Sequence, residues 1–170
     1  MKKLLLVTVF TAMTCHASNA EVGFSPEGSA RDVVLSAIGG AQRSIHIMAY
    51  SFTAPDIVRA LADAHKRGVD VLVVVDENGN QTRPSIAAMN YAVNNGISLR
   101  TDANYKIQHD KVMIIDGDTV ETGSFNYTAS AEKYNSENAL VLSGVPELAK
   151  RYDAHWLDRW NQGTEYRPSY

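Results

Sequence analysis

Val69 to Val75 is an almost unbroken apolar run, Val-Asp-Val-Leu-Val-Val-Val, that ends in the turn-forming Asp76-Glu77-Asn78-Gly79-Asn80. A strand with this pattern has no polar side to turn to water, so both of its faces need cover. That requirement dominates what the chain can fold into: a sheet with helices packed above and below. The flanking segments supply them. "APDIVRALADAHKRG" opens with Pro55 near its first turn and closes on Lys66, Arg67 and Gly68, the marks of a helix. "SIHIMAYSF" ahead of it is β-rich and has no helical period.

The same alternation extends both ways. "PEGSARDVVLSAIGGA" places Val33, Val34, Ala37 and Ile38 on one helical face and stops at Gly39-Gly40. A further helix spans Pro84 to Asn94, and "ISLRT" follows as a strand. Lys111 to Ile115 and Thr119 to Thr122 read as two short strands joined through Asp116-Gly117-Asp118, a hairpin signal. "ENALVLSG" is another apolar strand, and Leu148, Tyr152, Trp156 and Trp160 line one face of a final helix. The expected fold is α/β: a mixed β-sheet flanked by helices on both faces, an α/β/α sandwich. At 170 residues and 45% hydrophobic, the chain suits one domain with a substantial core.

The N-terminus stands apart. Lys2 and Lys3, an apolar run from Leu4 to Met13 and the small residues ending at Ala20 form the three regions of a secretory signal peptide. The run is shorter than the roughly 20 residues a permanent transmembrane helix needs. We expect residues 1–20 to be a cleaved signal and 21–170 to be a single domain, periplasmic or secreted. Cleavage removes Cys15, the one cysteine, so core packing alone must hold the exported chain. It also removes two of 16 basic residues against 19 acidic ones, leaving a net charge of about −5. Bulk charge therefore argues against a protein that coats nucleic acid, although it leaves a local basic groove open.

The chemistry concentrates in "HDKVMIIDGDTVETGSFN". If a strand begins near His109, His109 and Lys111 project from the same face, because residues two apart do so. Alone, the pair is sufficiently explained as a polar strand edge. Together with Asp116 it forms His-x-Lys-x4-Asp, which three residue types at ~5% usage produce by chance in about two per cent of chains this long. Gly123-Ser124-Phe125-Asn126 follows, and Glu137 opens the next strand.

This pattern resembles the phospholipase D superfamily, whose sites carry His-x-Lys-x4-Asp, then Gly-Ser-x-Asn, then a carboxylate. "IHIMAYSFTAPDIVRALADAHKRGVDVLVVVD" looks like the same superfamily's strand-helix-strand lead-in, so the resemblance covers most of residues 21–160. A single motif in a short chain with a signal peptide resembles the bacterial secreted or periplasmic endonucleases of the Nuc type. His46, His65 and His155 all lack a lysine two residues on, so no second motif is present.

A phosphodiester is anionic and leaves poorly, so attack requires neutralised oxygens, an aimed nucleophile and a proton donor. Lys111 can supply charge; Ser124 and Asn126 can donate hydrogen bonds to phosphate. Neutral His109 can attack phosphorus and form a phosphohistidine that water later opens. A carboxylate would orient the imidazole. The resemblance implies Glu137, whereas spacing alone allows any nearby acid. Asp116 has a sufficient explanation as a turn residue, with a structural role that orients the lysine or loop groups.

One histidine cannot both attack and protonate the leaving oxygen. The superfamily uses two motifs across a pseudo-two-fold axis, and a one-motif chain can match this as a symmetric homodimer. No cofactor and no metal site is implied: the chain lacks His-Glu-x-x-His, and "DENGN" reads as a turn.

The expected function is metal-independent, largely sequence-nonspecific cleavage of nucleic acid: DNA, with RNA left open by the sequence. Lys106, Lys111, Arg100 and Lys133 are candidates to line a positive cleft, and Tyr105, Tyr127 and Tyr134 to stack on bases. The alternatives are a lipid phosphodiesterase or transphosphatidylase with the same chemistry, and a non-catalytic nucleic-acid-binding protein. The lipid reading calls for a membrane-docking segment that the exported chain does not show, so no stable membrane association is expected.

Overall fold

The computed structural model describes residues 18–170. Residues 1–17, which hold most of the expected signal peptide, lie outside the described residues. In chain order the elements are β1 (Asn19–Ser25), α1 (Ser29–Gly40), β2 (Ser44–Ala49), α2 (Pro55–Lys66), β3 (Asp70–Asp76), α3 (Arg83–Asn94), β4 (Ser98–Asp102), β5 (Lys111–Ile115), β6 (Thr119–Gly123), α4 (Ala129–Lys133), β7 (Glu137–Ser143), α5 (Pro146–Gln162) and β8 (Thr164–Glu165). The strands make one mixed sheet in the order β1-β7-β6-β5-β2-β3-β4-β8. β2, β3 and β4 run parallel, joined through α2 and α3, and the remaining pairs are antiparallel.

The helices do cover both faces, but unequally. Val71, Val73 and Val75 of β3 pack with Ile47, Met113 and the buried faces of α1, α2 and α3. Val74, with Met48, Val112, Ile114 and Val120, turns to the other face and meets Trp156 of α5. The apolar run at 69–75 is thus a central strand sandwiched between helices, as its composition requires. α5 alone covers its face and does not reach the β1 edge, where Val22 and Phe24 are about half exposed. The short elements β1, α4 and β8 carry no strong periodicity and were not expected from the sequence. In β1, Asn19 and Ala20 pair with Ser143 and Leu142. A chain starting at Glu21 keeps the pairs from Glu21↔Val141 to Ser25↔Glu137.

Among the described residues no helix is long and apolar enough to cross a membrane.

Candidate active site

The parallel strands end at one edge of the sheet, and there β2 finishes, β5 starts, β6 finishes and β7 starts. This C-terminal edge of parallel strands is where α/β folds present ligand-binding loops. β5 begins at Lys111, so His109 stands ahead of the strand and not within it. The reason is local: the Gln108 N–H donates to the buried Asp76 carboxylate at 2.7 Å instead of joining the ladder. His109 is consequently exposed, while Lys111, in the first ladder position opposite Ala49, is only 7% exposed.

Lys111 Nζ donates to the His109 carbonyl at 2.8 Å and lies 5.2 Å from the centre of the Tyr50 ring. Burial lowers its pKa from the ordinary lysine value, against the opposing charges of Asp110 and Glu137. The His109 imidazole meets the same Tyr50 ring edge-to-face, with centroids 4.6 Å apart.

Ser124 leaves the end of β6 through Gly123, where a Cβ would fall 2.2 Å from the Asn138 carbonyl oxygen. The motif glycine is therefore required for the close approach of β6 to β7. Ser124 Oγ donates to Glu137 Oε2 at 2.5 Å and accepts from the Asn138 N–H at 3.1 Å. Glu137 Oε1 accepts from Asn135 at 2.9 Å. No hydrogen bond joins Glu137 to His109 among the described residues: the carboxylate instead bonds Ser124, the first residue after β6. Asn126 is half-buried, and its Oδ1 is buried without a partner.

Asp116 is separated from this cluster by the whole of β5. Its backbone is left-handed at φ 55, and its carboxylate accepts from the N–H groups of Gln42 at 2.9 Å, Arg43 at 2.7 Å and Ser44 at 3.0 Å. Burial pushes this carboxyl up, but the three N–H donors outweigh it and hold its pKa below the usual aspartate value. It contacts a loop, and the strand keeps it from orienting Lys111.

Comparison with known proteins bears on the family and the fold. Residues 34–160 match the family described as "Cardiolipin synthase, PLD-like domain". The chain belongs to the phospholipase D superfamily. Among solved structures it is similar to Nuc, a phospholipase D family member from Salmonella typhimurium, at 63% identity and a TM-score of 0.88, covering 89% of this chain and 99% of that one. Among curated proteins it is 34% identical over 142 residues to a phospholipase D of Rickettsia bellii, across 84% of this chain and 69% of the relative. It is 33% identical over 135 residues to the mitochondrial cardiolipin hydrolase of Xenopus laevis, across 76% of this chain and 59% of that protein. The chain is thus a phosphodiesterase of the Nuc type.

Several residues that support the phospholipase D site escaped the sequence reading. Tyr50, at the end of β2, is one. The turn after β3 is another: Asn80 accepts from the Phe52 N–H and donates to the carbonyls of Tyr50 and Asp76. "DENGN" is thus a turn that braces Tyr50 and Gln108, a role with no local signature because its partners are distant in sequence. Other candidates are placed elsewhere. Arg100 stacks on Trp160 and donates to its carbonyl at 2.7 Å. Tyr127 is fully buried, and its hydroxyl donates to Glu121 at 2.6 Å. Tyr105 lies under Arg159. Lys106, Lys133 and Tyr134 remain exposed. Among the described histidines only His109 is exposed; His46 bonds Asp153 and stacks on Trp156.

Proposed function

We propose that this phosphodiesterase is a metal-independent endonuclease of low sequence specificity that works as a symmetric homodimer. The observation that carries the reading is one exposed imidazole above one buried ammonium, with hydroxyl and amide groups of the Gly-Ser-x-Asn turn nearby. Lys111 neutralises the non-bridging phosphate oxygens, assisted by Ser124 and Asn126. A His109 ring nitrogen attacks phosphorus, the bond to the leaving oxygen breaks, and the partner's His109 protonates that oxygen. Water then attacks the phosphohistidine, giving its proton to the partner's His109 as the P–N bond breaks. A phosphate that draws the Ser124 hydroxyl frees Glu137 to orient the imidazole. Asp116 acts structurally.

The half-open α5 face, where Val22 and Phe24 lie beside Leu140 and Leu142, supports pairing, since contiguous exposed apolar surface marks association sites. Similarity to Nuc supports a nucleic acid substrate, and the leader-like residues 1–20 support a periplasmic or secreted location. The names of the Rickettsia and Xenopus relatives support a second reading, hydrolysis of a lipid phosphodiester.

The test is incubation of the exported chain with plasmid DNA, and separately with cardiolipin vesicles, in excess EDTA. Nicking and degradation of plasmid are expected. A strict requirement for a divalent ion overturns the mechanism, and lipid turnover without DNA cleavage overturns the substrate. Activity per chain that stays constant on dilution to a strict monomer overturns the shared site.

A further inference from the structure

Tyr50 sits where the two reacting side chains meet. Its backbone is clamped on both sides: the N–H donates to the Asp110 carbonyl at 2.9 Å, and its own carbonyl accepts from Asn80 at 2.9 Å. The turn beneath it is bare. A Cβ on Gly79 would lie 2.6 Å from the Tyr50 carbonyl oxygen and 3.1 Å from ring atom Cε2. The ring is therefore held by backbone on one side and faces the site on the other. His109 packs edge-to-face on it at an interplanar angle of 62°, and Lys111 Nζ lies 5.2 Å from its centre.

Neither contact is replaced by another among the described residues. Among the described residues, no side chain hydrogen-bonds an imidazole nitrogen of His109, and Lys111 has one hydrogen bond, to a carbonyl. An exposed imidazole without a neighbour samples several rotamers, and misalignment of a nucleophile is costly in rate. A half-dry ammonium with one hydrogen bond gains from the negative face of an aromatic ring.

We propose that Tyr50 is a positioning residue for the phosphodiester reaction, its ring aiming the His109 imidazole and keeping the Lys111 ammonium charged. The inference rests on His109 being the nucleophile and Lys111 the phosphate-binding charge. The role belongs to the ring face, since the Tyr50 hydroxyl has no hydrogen-bond partner among the described residues.

The groups that face Lys111 are Asp110 beside it, Glu137 from β7, the His109 carbonyl and the Tyr50 ring. The two carboxylates favour the charged ammonium and burial disfavours it. Loss of the ring face removes one more support for the charge. With a nitrophenolate leaving group, which departs without a proton from the partner's His109, the alkaline limb of the activity profile reports Lys111 deprotonation, and it then moves to lower pH.

The experiment compares the wild type with Tyr50→Phe, Tyr50→Leu and His109→Ala, using bis(p-nitrophenyl) phosphate in EDTA across the neutral to alkaline range. Tyr50→Phe stays within about twofold of wild type. Tyr50→Leu loses about tenfold in kcat with KM little changed, and its alkaline limb falls by about half a unit. If the leucine variant melts early, fluorinated phenylalanines at position 50 keep the shape and weaken the ring face, and the limb then steps down with each fluorine. An inactive His109→Ala beside an unchanged Tyr50→Leu overturns the role of Tyr50. Equal losses in the phenylalanine and leucine variants overturn it in favour of the hydroxyl. An active His109→Ala overturns the underlying reading instead.

Discussion

The two ends of β5 carry the two halves of one sequence motif and are built on opposite principles. At the Lys111 end a charge is buried with one hydrogen bond and an aromatic face, beside an imidazole left exposed. At the Asp116 end, five residues on and about 16 Å away at strand geometry, a carboxylate accepts from three backbone N–H groups. The under-satisfied end has bonding capacity left over, which the proposed mechanism gives to a phosphate. The Asp116 end has most of its acceptor capacity taken by backbone and serves the fold, tying the α1–β2 loop to the β5–β6 hairpin.

The sharpest test of that division is His109→Ala, expected to lower the rate at least about a thousandfold with the melting temperature unchanged. A parallel loss of stability would mean that the exposed end is structural too. Next is Lys111→Met, expected to cost about a hundredfold in kcat while leaving thermal stability equal or raised, because a buried charge is replaced by an apolar chain of similar length. At the other end, Asp116→Ala should cost about 2–3 kcal/mol of stability by stripping three N–H groups of their acceptor, with kcat per folded molecule retained. Because its folded pKa is depressed, the Asp116 contribution is present above the usual aspartate range and lost as pH falls through the lowered value. The denaturant-titration difference between wild type and Asp116→Ala should therefore shrink in acid, and a difference that does not shrink there breaks the assignment.

Glu121 offers the most specific effect on stability. It lies on β6 opposite Met113, midway between the two ends of β5, with its side chain fully buried. Burial raises its pKa to about 8, only partly offset by the Tyr127 hydroxyl. The folded state therefore holds a proton that the unfolded chain releases near the ordinary glutamate value. Stability falls as pH rises between about 4.5 and 8, by up to about 1.4 kcal/mol per unit, and levels above that window. Glu121→Gln should flatten this slope in denaturant titrations; an equal slope in the variant would place the proton elsewhere.

Much of the layered architecture was legible because it follows from short-range pattern. A run such as Val71 to Val75 admits few fates, and helices closed by Lys66-Arg67-Gly68 or Asn95-Gly96 announce their ends. The short strands at 19–25 and 164–165 were not legible, since each is a strand only by pairing with a distant neighbour. At the candidate site, motif spacing singled out His109, Lys111, Ser124 and Asn126, and the family resemblance added Glu137, but neither reported their contacts. Glu137 bonds Ser124 in this chain because the Gly123 turn brings β6 against β7, a closeness that no spacing rule reports. Tyr50 lies 59 positions before His109 and looked like an ordinary strand residue.

By itself, then, the sequence determined the family, the layered α/β plan and the inventory of reactive groups, because periodicity and motif spacing are properties of neighbouring residues. The tertiary structure alone decided which of those groups are exposed, buried or already bonded. It set Lys111 against a ring from another strand, turned Arg100 and Tyr127 inward, and placed Asp116 at the far end of β5. Those outcomes depend on contacts between segments far apart in the chain, which burial and hydrogen-bond competition settle only once the sheet has formed.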